Sequence, residues 1–410
     1  MFDRREFLKW AGAMPLFGTI AADSFLQRAK AAVGKPASNI YTSIGVRPFI
    51  NARGTWTYLS GSLELPEVRA AKQEAAKHFV DIFELQRAAG KRLAELSGAE
   101  SGMVASGAAG AIASATAACM AGTDPAKIWQ LPDTTGLKNE VIMSGGRSAF
   151  DSAVRLTGAK LVVTPSLEEM EAAIGPSTAM IYTTDLGDKL QRTVEIAKKA
   201  NVPLLLDDAA GIPPIENLRL YARMGVDLYC FSGGKGLAGP QCSGLLLGRK
   251  DLIDEAVRHN NPNSDAIGRG MKVSKEQIVG MVAALDWFLA QTDAGMEAEF
   301  RARAERIAAQ LKGIPSLKTT IATPNVEANA VPHLLISYDQ SKVRIAPLEV
   351  AKQLRAGKPS IELNPVTGRR GGSGLPNDEN TIVVGVWMLQ PGEEAIVARR
   401  LREVLGKASA

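Results

Sequence analysis

What the sequence lacks narrows it before anything it contains. Cysteine is scarce: Cys119, Cys230 and Cys242 are odd in number and have no metal-ligand spacing. That excludes a disulfide framework and a cysteine-based metal site, and leaves packed thiols as the expectation. No stripe of basic residues interleaved with aromatics appears in a chain of net charge +5, so no nucleic-acid partner is expected. Arg301, Arg303, Arg306, Arg399, Arg400 and Arg402 fall on helix-like segments beside acidic residues and read as solvated helix faces. No internal repeat is visible. A dinucleotide fold is disfavoured, because no Gly-x-Gly-x-x-Gly follows the first strand with an acid about 20 residues on.

What is present fits a globular protein. At 410 residues, 46% hydrophobic and 22% charged, the chain is long enough for two domains with a sizeable core. Asp3-Arg4-Arg5-Glu6-Phe7-Leu8-Lys9 resembles a twin-arginine export motif, and the apolar run Trp10 to Ala22 after it is too short for a stable membrane anchor. Ala29-Lys30-Ala31 offers a cleavage site, so residues 1–31 read as an export signal; a basic N-terminal helix is the alternative. Twin-arginine systems carry folded cargo, often with a cofactor bound, and the periplasm is the expected location.

Further along, Pro48 to Thr55 is a short extended segment running into a glycine turn. Val68, Ala71, Ala75, Phe79, Leu85, Ala89, Leu93 and Leu96 recur at helical steps between Leu65 and Gly98. Short apolar strands then alternate with helical segments. The strands are Met103–Ala105, Val141–Met143, Leu161–Val163, Met180–Tyr182, Pro203–Asp207, Asp227–Phe231 and Gly244–Gly248. This pattern predicts a mostly parallel sheet covered by helices on both faces. Two helices broken around Asp293-Ala294-Gly295 follow, then a mixed run of strands and helices. The expected layout is a large α/β domain over 40–295 and a smaller C-terminal α+β domain over 296–410. The glycine- and arginine-rich loop Thr367 to Asn377 reads as mobile.

Ligands of parallel α/β sheets sit at the carboxyl ends of the strands, and three features fall there. Ser106-Gly107-Ala108 opens a helix after a strand, which makes either a phosphate site or plain close packing. Asp207 ends the most apolar strand; it is either a pocket acid needing a cationic partner or a helix cap, and Asp208 beside it must point the other way. Lys235 stands among glycines just after the strand ending at Ser232, either as a reactive amine or as a solvated turn residue. Phosphate cradle, buried acid and lysine are the parts that pyridoxal phosphate requires, with the Ser232 hydroxyl as a further phosphate ligand.

Asn51-Ala52-Arg53-Gly54, Leu131 to Gly136, Leu206-Asp207-Asp208-Ala209-Ala210-Gly211-Ile212-Pro213-Pro214, Phe231 to Gly236 with Gly239-Pro240-Gln241, and Ile267 to Val273 carry a family likeness. Over about Pro48 to Leu289 the chain resembles the selenocysteine-synthase-like branch of fold-type I pyridoxal-phosphate enzymes. That branch includes seryl-tRNA selenium transferase and D-glucosaminate-6-phosphate ammonia-lyase. The resemblance implies that Lys235 is the Schiff-base lysine and Asp207 the partner of the pyridine nitrogen. It also implies that Ser106, Gly107, Ala108 and Ser232 are cofactor ligands, and that the protein is at least a homodimer. Arg269 is either an active-site residue, of its own or a neighbouring subunit, or a surface salt-bridge residue. Arg147 is either a receptor for a substrate carboxylate or a solvated turn residue.

Two departures matter. The export signal occupies most of the chain before Pro48, where the tRNA enzyme has an extra domain, which speaks against tRNA as substrate. Ser144 to Phe150, where a ring-stacking histidine is usual, contains none, and Phe150 reads as core. The expected function is α,β-elimination on a hydroxy amino acid or amino-sugar acid, releasing ammonia and an oxo acid. A small-molecule amine is the expected substrate, and no metal is expected. Selenium-transferase-like, aminotransferase or aldolase chemistry at the same site, or a degenerate binding protein, remain the alternatives.

Overall fold

A computed structural model of the chain describes residues 39–324, 330–364, 375–376 and 378–409. The export motif and nearly all of the loop Thr367 to Asn377 lie outside them. Among the described residues no helix is long and apolar enough to cross a membrane.

The larger unit is a seven-stranded sheet of β2 (Ser101–Ala105), β3 (Glu140–Ser144), β4 (Lys160–Thr164), β5 (Thr178–Thr183), β6 (Leu204–Asp207), β7 (Leu228–Ser232) and β8 (Gly244–Gly248), in the order β2-β8-β7-β6-β5-β3-β4. The pairs β3–β4, β3–β5, β5–β6 and β6–β7 are parallel, as the strand–helix alternation predicts. β8 is antiparallel to both its neighbours. The Gly233–Ser243 connection holds no helix, so it cannot make a crossover and instead turns the chain back beside β7.

Helices cover both faces, which explains the uninterrupted apolar strands. Leu204, Leu206, Tyr229 and Phe231 face one core, and Leu205, Leu228 and Cys230 face the other. Each fully buried leucine stabilises the sheet by about 1.5–3 kcal/mol. The helix Gly107–Ala121 is buried almost all round, and its alanines let it lie close against the strands.

A second unit has its own core. Its antiparallel sheet has the order β12 (Thr381–Gly385), β10 (His333–Ser337), β9 (Lys318–Ala322), and the helices Asp293–Leu311, Pro347–Ala356 and Glu393–Ala408 cover it. The expected boundary needs correction here. β1 (Phe49–Ala52) pairs in parallel with β11 (Ser360–Leu363), a strand the periodicity did not reveal, and Ile50 and Ala52 join the C-terminal core. Alternation shows that Phe49–Ala52 is a strand but carries no information about which sheet it enters.

Three local expectations also change. The helical pattern between Leu65 and Gly98 is two helices, Pro66–Ala75 and Ile82–Ser97, the second capped by Asp81, whose Oδ1 accepts from Phe83 N at 2.7 Å and Glu84 N at 3.2 Å. Phe79 lies in the break and is fully exposed. The later break falls before Asp293, where Thr292 Oγ1 accepts from Gly295 N at 3.1 Å. Cys230 is buried and Cys242 exposed, so the packed-thiol expectation fails for Cys242. The arginines of the Asp293–Leu311 helix do pair with acids: Arg301 with Glu297 at 2.8 Å and Arg303 with Glu299 at 2.9 Å.

Candidate active site

The ends of three strands meet at one edge of the large sheet. Ser232, the last residue of β7, stands opposite Gly244, the first of β8, and Gly244 stands opposite Ala105, the last of β2. Ser232 and Ser106 therefore sit on either side of a glycine. A Cβ on Gly244 would lie 2.3 Å from the carbonyl carbon of Gly107 and 2.5 Å from Ala108 N. Only the missing side chain lets the helix that starts at Gly107 close down onto the sheet.

That helix start is built to receive an anion. Gly107 has φ +69°, a conformation glycine adopts without strain, and a Cβ there would meet nothing within 4 Å. Ser106 makes no capping hydrogen bond with its side chain. The first backbone bond in the helix is Gly110 N–H to Ser106 O at 3.1 Å, so the amides of Gly107, Ala108 and Ala109 find no acceptor among the described residues.

Asp207 ends β6 two strands away from β8. Its Oδ2 accepts from Tyr182 Oη at 2.8 Å, and its Oδ1 accepts from Ala209 N at 3.1 Å and the Cys230 thiol at 3.6 Å. Tyr182 on β5 and Cys230 on β7 flank it from the neighbouring strands. Burial, reinforced by the Asp207 charge, pushes the pKa of both groups upward, so they stay neutral donors. Asp208 faces the opposite core, as strand alternation requires, and accepts from Tyr221 Oη at 2.5 Å. The expected cationic partner of Asp207 is present only through space: the Lys235 amine feels its charge but forms no ion pair or hydrogen bond among the described residues.

Lys235 is held by a loop that only glycines fit. Gly233 N–H donates to Ser243 O at 2.8 Å, Gly239 N–H to Gly233 O at 2.9 Å, and Ala238 N–H to Lys235 O at 3.0 Å. A Cβ on Gly234 would lie 2.2 Å from Gln241 Oε1, and one on Gly236 would lie 2.0 Å from Ile212 O. Burial lowers the Lys235 pKa, and the negative charge of Asp207 only partly restores it. An amine so placed gives up its proton more easily than a solvated lysine and is not committed to a structural bond.

These residues fit pyridoxal phosphate. Free amides beside an open Cβ direction at Gly107 suit a phosphate. A carboxylate oriented by three neutral donors suits a protonated ring nitrogen, and an uncommitted buried amine suits an aldehyde. The structure thus brings together Ser106, Gly107, Ala108, Asp207, Ser232 and Lys235.

The other sequence candidates are placed differently. Arg147 is tied to Asp151 through Nε and, at 3.2 Å, through Nη2, while Arg155 Nε reaches the same carboxylate at 3.0 Å. The Arg147 hydrogen bond holds the Asp151 pKa down to about 2. Arg269 is half-buried and forms no ion pair among the described residues, and Met271 just beyond it packs near Gly110, in the first turn of the Gly107 helix. Phe150 is 65% exposed, which corrects the core reading: a short helical turn carries it outward while its neighbour Asp151 turns in. Sequence reasoning missed Tyr182 and gave Cys230 no role. A phenol in the otherwise aliphatic run Met180-Ile181-Tyr182, one strand from Asp207, was the available signal.

Comparison with known proteins points to the same class of cofactor enzyme. The profile of the class-V aminotransferase family matches residues 153–345. The chain is 32% identical to 5'-C-glycyluridine monooxygenase-decarboxylase of a Streptomyces species, over 89% of this chain and 92% of that one. It is 29% identical to D-glucosaminate-6-phosphate ammonia lyase of Salmonella typhimurium, over 90% and 99% of the two chains. A solved structure of D-glucosaminate-6-phosphate ammonia-lyase superposes with a TM-score of 0.76 at 28% identity, covering 91% of this chain and all of the other.

Proposed function

The chain belongs to the class-V aminotransferase family of pyridoxal-phosphate-dependent enzymes, and on that premise we propose that it is a lyase. Its reaction is α,β-elimination on a β-hydroxy amino acid or amino-sugar acid: the β-hydroxyl leaves as water, and hydrolysis releases ammonia and a 2-oxo acid. The observation that carries this reading is Lys235, a buried amine beside Asp207 that no ion pair holds. The Salmonella ammonia lyase, matched over 99% of its length, supports it.

Pyridoxal phosphate supplies an aldehyde that captures amines and a ring that takes up the electron pair of a bond broken at the substrate α-carbon. In this reading the amides of Gly107 and Ala108, with the Ser106 and Ser232 hydroxyls, bind the phosphate. Asp207, oriented by Tyr182, Ala209 and Cys230, holds the proton on the pyridine nitrogen. Lys235 Nζ holds the aldehyde until substrate arrives and then moves a proton at the α-carbon. A base so positioned contributes about 10²–10⁴-fold. Arg269 remains a candidate contributor to the site, and Arg147 becomes one only if it leaves Asp151.

The test is release of ammonia and 2-oxo acid from β-hydroxy amino acids and amino-sugar acids with no oxo-acid acceptor present. The Lys235→Ala protein should lose both products and the absorbance of lysine-bound cofactor. Product formation only when an acceptor is added would replace elimination with amino transfer, and cleavage to glycine and an aldehyde would make the enzyme an aldolase. The Streptomyces relative favours a second reading, oxygen-dependent decarboxylation, which requires dioxygen uptake and carbon dioxide release.

Two further parts of the proposal concern place and assembly. Arg4-Arg5 and the apolar run after them support export of the folded protein to the periplasm. The family resemblance supports a homo-oligomer, which sedimentation of the purified protein would test.

A further inference from the structure

We propose that Arg53 and Trp387 form the receptor for a carboxylate carried by the substrate amine, a role that rests on the reading of the protein as an amine-processing pyridoxal-phosphate enzyme. Arg53 directly follows β1, and its side chain is only 11% exposed. Its guanidinium lies over the rings of Trp56 and Tyr58, 4.8 and 5.1 Å from their centroids, and Nη1 donates to the Tyr58 hydroxyl. Glu362 is 3.6 Å away, beyond a good hydrogen bond, and its other oxygen is taken by Arg355 Nε at 2.9 Å. Two guanidinium groups sharing one carboxylate leave a formal surplus of one positive charge, with Arg53 the buried member of the pair and Arg355 44% exposed.

Two buried donors there have no acceptor among the described residues: Arg53 Nε and Trp387 Nε1. Gly54 relates them, because a Cβ on it would lie 3.5 Å from Trp387 Nε1, which sets the indole N–H against the backbone just past Arg53. Orphaned buried donors are rare in folded proteins, and they are costly. Beside a surplus positive charge they call for a monoanionic acceptor, and a carboxylate supplies both the charge and the oxygens.

The surroundings tie this receptor to the lysine. Gly61 N–H donates to Trp56 O at 3.1 Å, and Ser62 N–H donates to Gly234 O, the residue before Lys235, at 2.9 Å. On the other side Asn364 Nδ2 donates to Arg53 O at 3.3 Å, and a Cβ on Gly385 would lie 2.6 Å from that oxygen. The rings over the guanidinium remain open to solvent, Trp56 being 51% and Tyr58 66% exposed, so the buried donors lie beneath a surface layer of two aromatic side chains. Arg147, by contrast, is already committed to Asp151.

The experiment titrates the holoenzyme with glycine and with methylamine by calorimetry; the two carry the same kind of amine and differ by the carboxylate. The wild type should bind glycine more tightly by about 10–100-fold, the range of a charge-assisted hydrogen bond. Arg53→Gln should bring that ratio near unity while methylamine affinity stays within about twofold, and Arg53→Lys should restore part of it. Trp387→Phe, which removes only the indole N–H and some ring area, should reduce the ratio several-fold and carries the test if Arg53→Gln does not fold. The proposal is overturned if the wild type shows no preference for glycine, or if Arg53→Gln or, in its place, Trp387→Phe keeps the wild-type ratio. Glycine has no β-leaving group, so this result is independent of whether the reaction is elimination; loss of that reading would show instead as absent ammonia release.

Discussion

Replacing Gly244 by alanine should damage the cofactor site although Gly244 itself is assigned no contact with the cofactor. The new methyl carbon would sit 2.3 Å from the carbonyl carbon of Gly107, 2.5 Å from Ala108 N and 2.6 Å from Gly107 O. All three are backbone atoms at the start of a buried helix, so no side chain can rotate out of the way. The helix start must lift from the sheet, at a cost typical of overpacking, about 1–3 kcal/mol of stability. The same displacement moves the amides of Gly107 and Ala108 away from the phosphate. Losing one well-placed charge-assisted bond is worth about 1.5–3 kcal/mol, which translates to about 10–100-fold weaker cofactor binding. Gly107→Ala is the informative contrast. Its methyl group meets nothing within 4 Å, so its stability cost is backbone strain alone, about 1–2 kcal/mol, while the methyl group projects into open space at the helix start. Gly146→Ala, also without neighbours and with an ordinary φ, should be near neutral in both respects. The assays are urea unfolding of the apoprotein and absorbance titration with pyridoxal phosphate. A Gly244→Ala protein that binds the cofactor within twofold of wild type would refute the claim that this glycine sets the cradle.

Other predictions follow from single contacts. Tyr182→Phe removes the phenol donor from Asp207, and should weaken pyridoxal phosphate binding about tenfold while shifting the absorbance of the bound cofactor; an unchanged spectrum and affinity would show that Tyr182 does not orient the acid. Asp151 has its pKa held at about 2 against an ordinary 3.8, so its contribution is fully present above about pH 4 and is lost as pH falls through 2. Asp151→Asn should therefore flatten that acid limb of the urea-unfolding midpoint while lowering stability at neutral pH. Lys235 has a lowered pKa, so between that value and its ordinary 10.5 the unfolded chain binds the extra proton and apoprotein stability should rise with pH; Lys235→Met should abolish the rise. Changing Arg4 and Arg5 together to lysine should leave the full-length protein in the cytoplasmic fraction of a twin-arginine-competent host, and undiminished export would refute that route.

The strands that hold the site were legible because burial on both faces writes continuous apolar runs into the sequence. Leu204–Asp207 and Leu228–Ser232 end in the polar residues Asp207 and Ser232, so strands and candidate site residues were read from the same stretches. Pairing was less legible. Phe49–Ala52 alternates in either sheet, and its partner Ser360–Leu363 is too short to declare itself. Phe79 and Phe150 continue an apolar period yet face solvent, because Asp81 and Ser148 start new helical turns that override it. Arg53 shows the same limit from another side: its motif was quoted for the family likeness, and Trp56 and Tyr58 are its neighbours in sequence, but Trp387 reaches it only once the N-terminal strand has joined the C-terminal unit.

The antiparallel strand β8 explains why the parts of the site stay together. A purely parallel sheet would need a crossover after β7, and the lysine would then open a helix, free to move with it. Here the chain turns back instead, so Lys235 belongs to a connection anchored at both ends, by Ser232 and by Gly244, to adjacent strands. The same Gly244 touches the helix that offers the amides of Gly107 and Ala108. The Lys235 amine and the proposed phosphate cradle are thereby referenced to one backbone position rather than to two separate loops. Asp207, one strand beyond β7, is fixed to that frame through Cys230, its register partner and hydrogen-bond donor. A change in the β7–β8 register would shift all three groups at once.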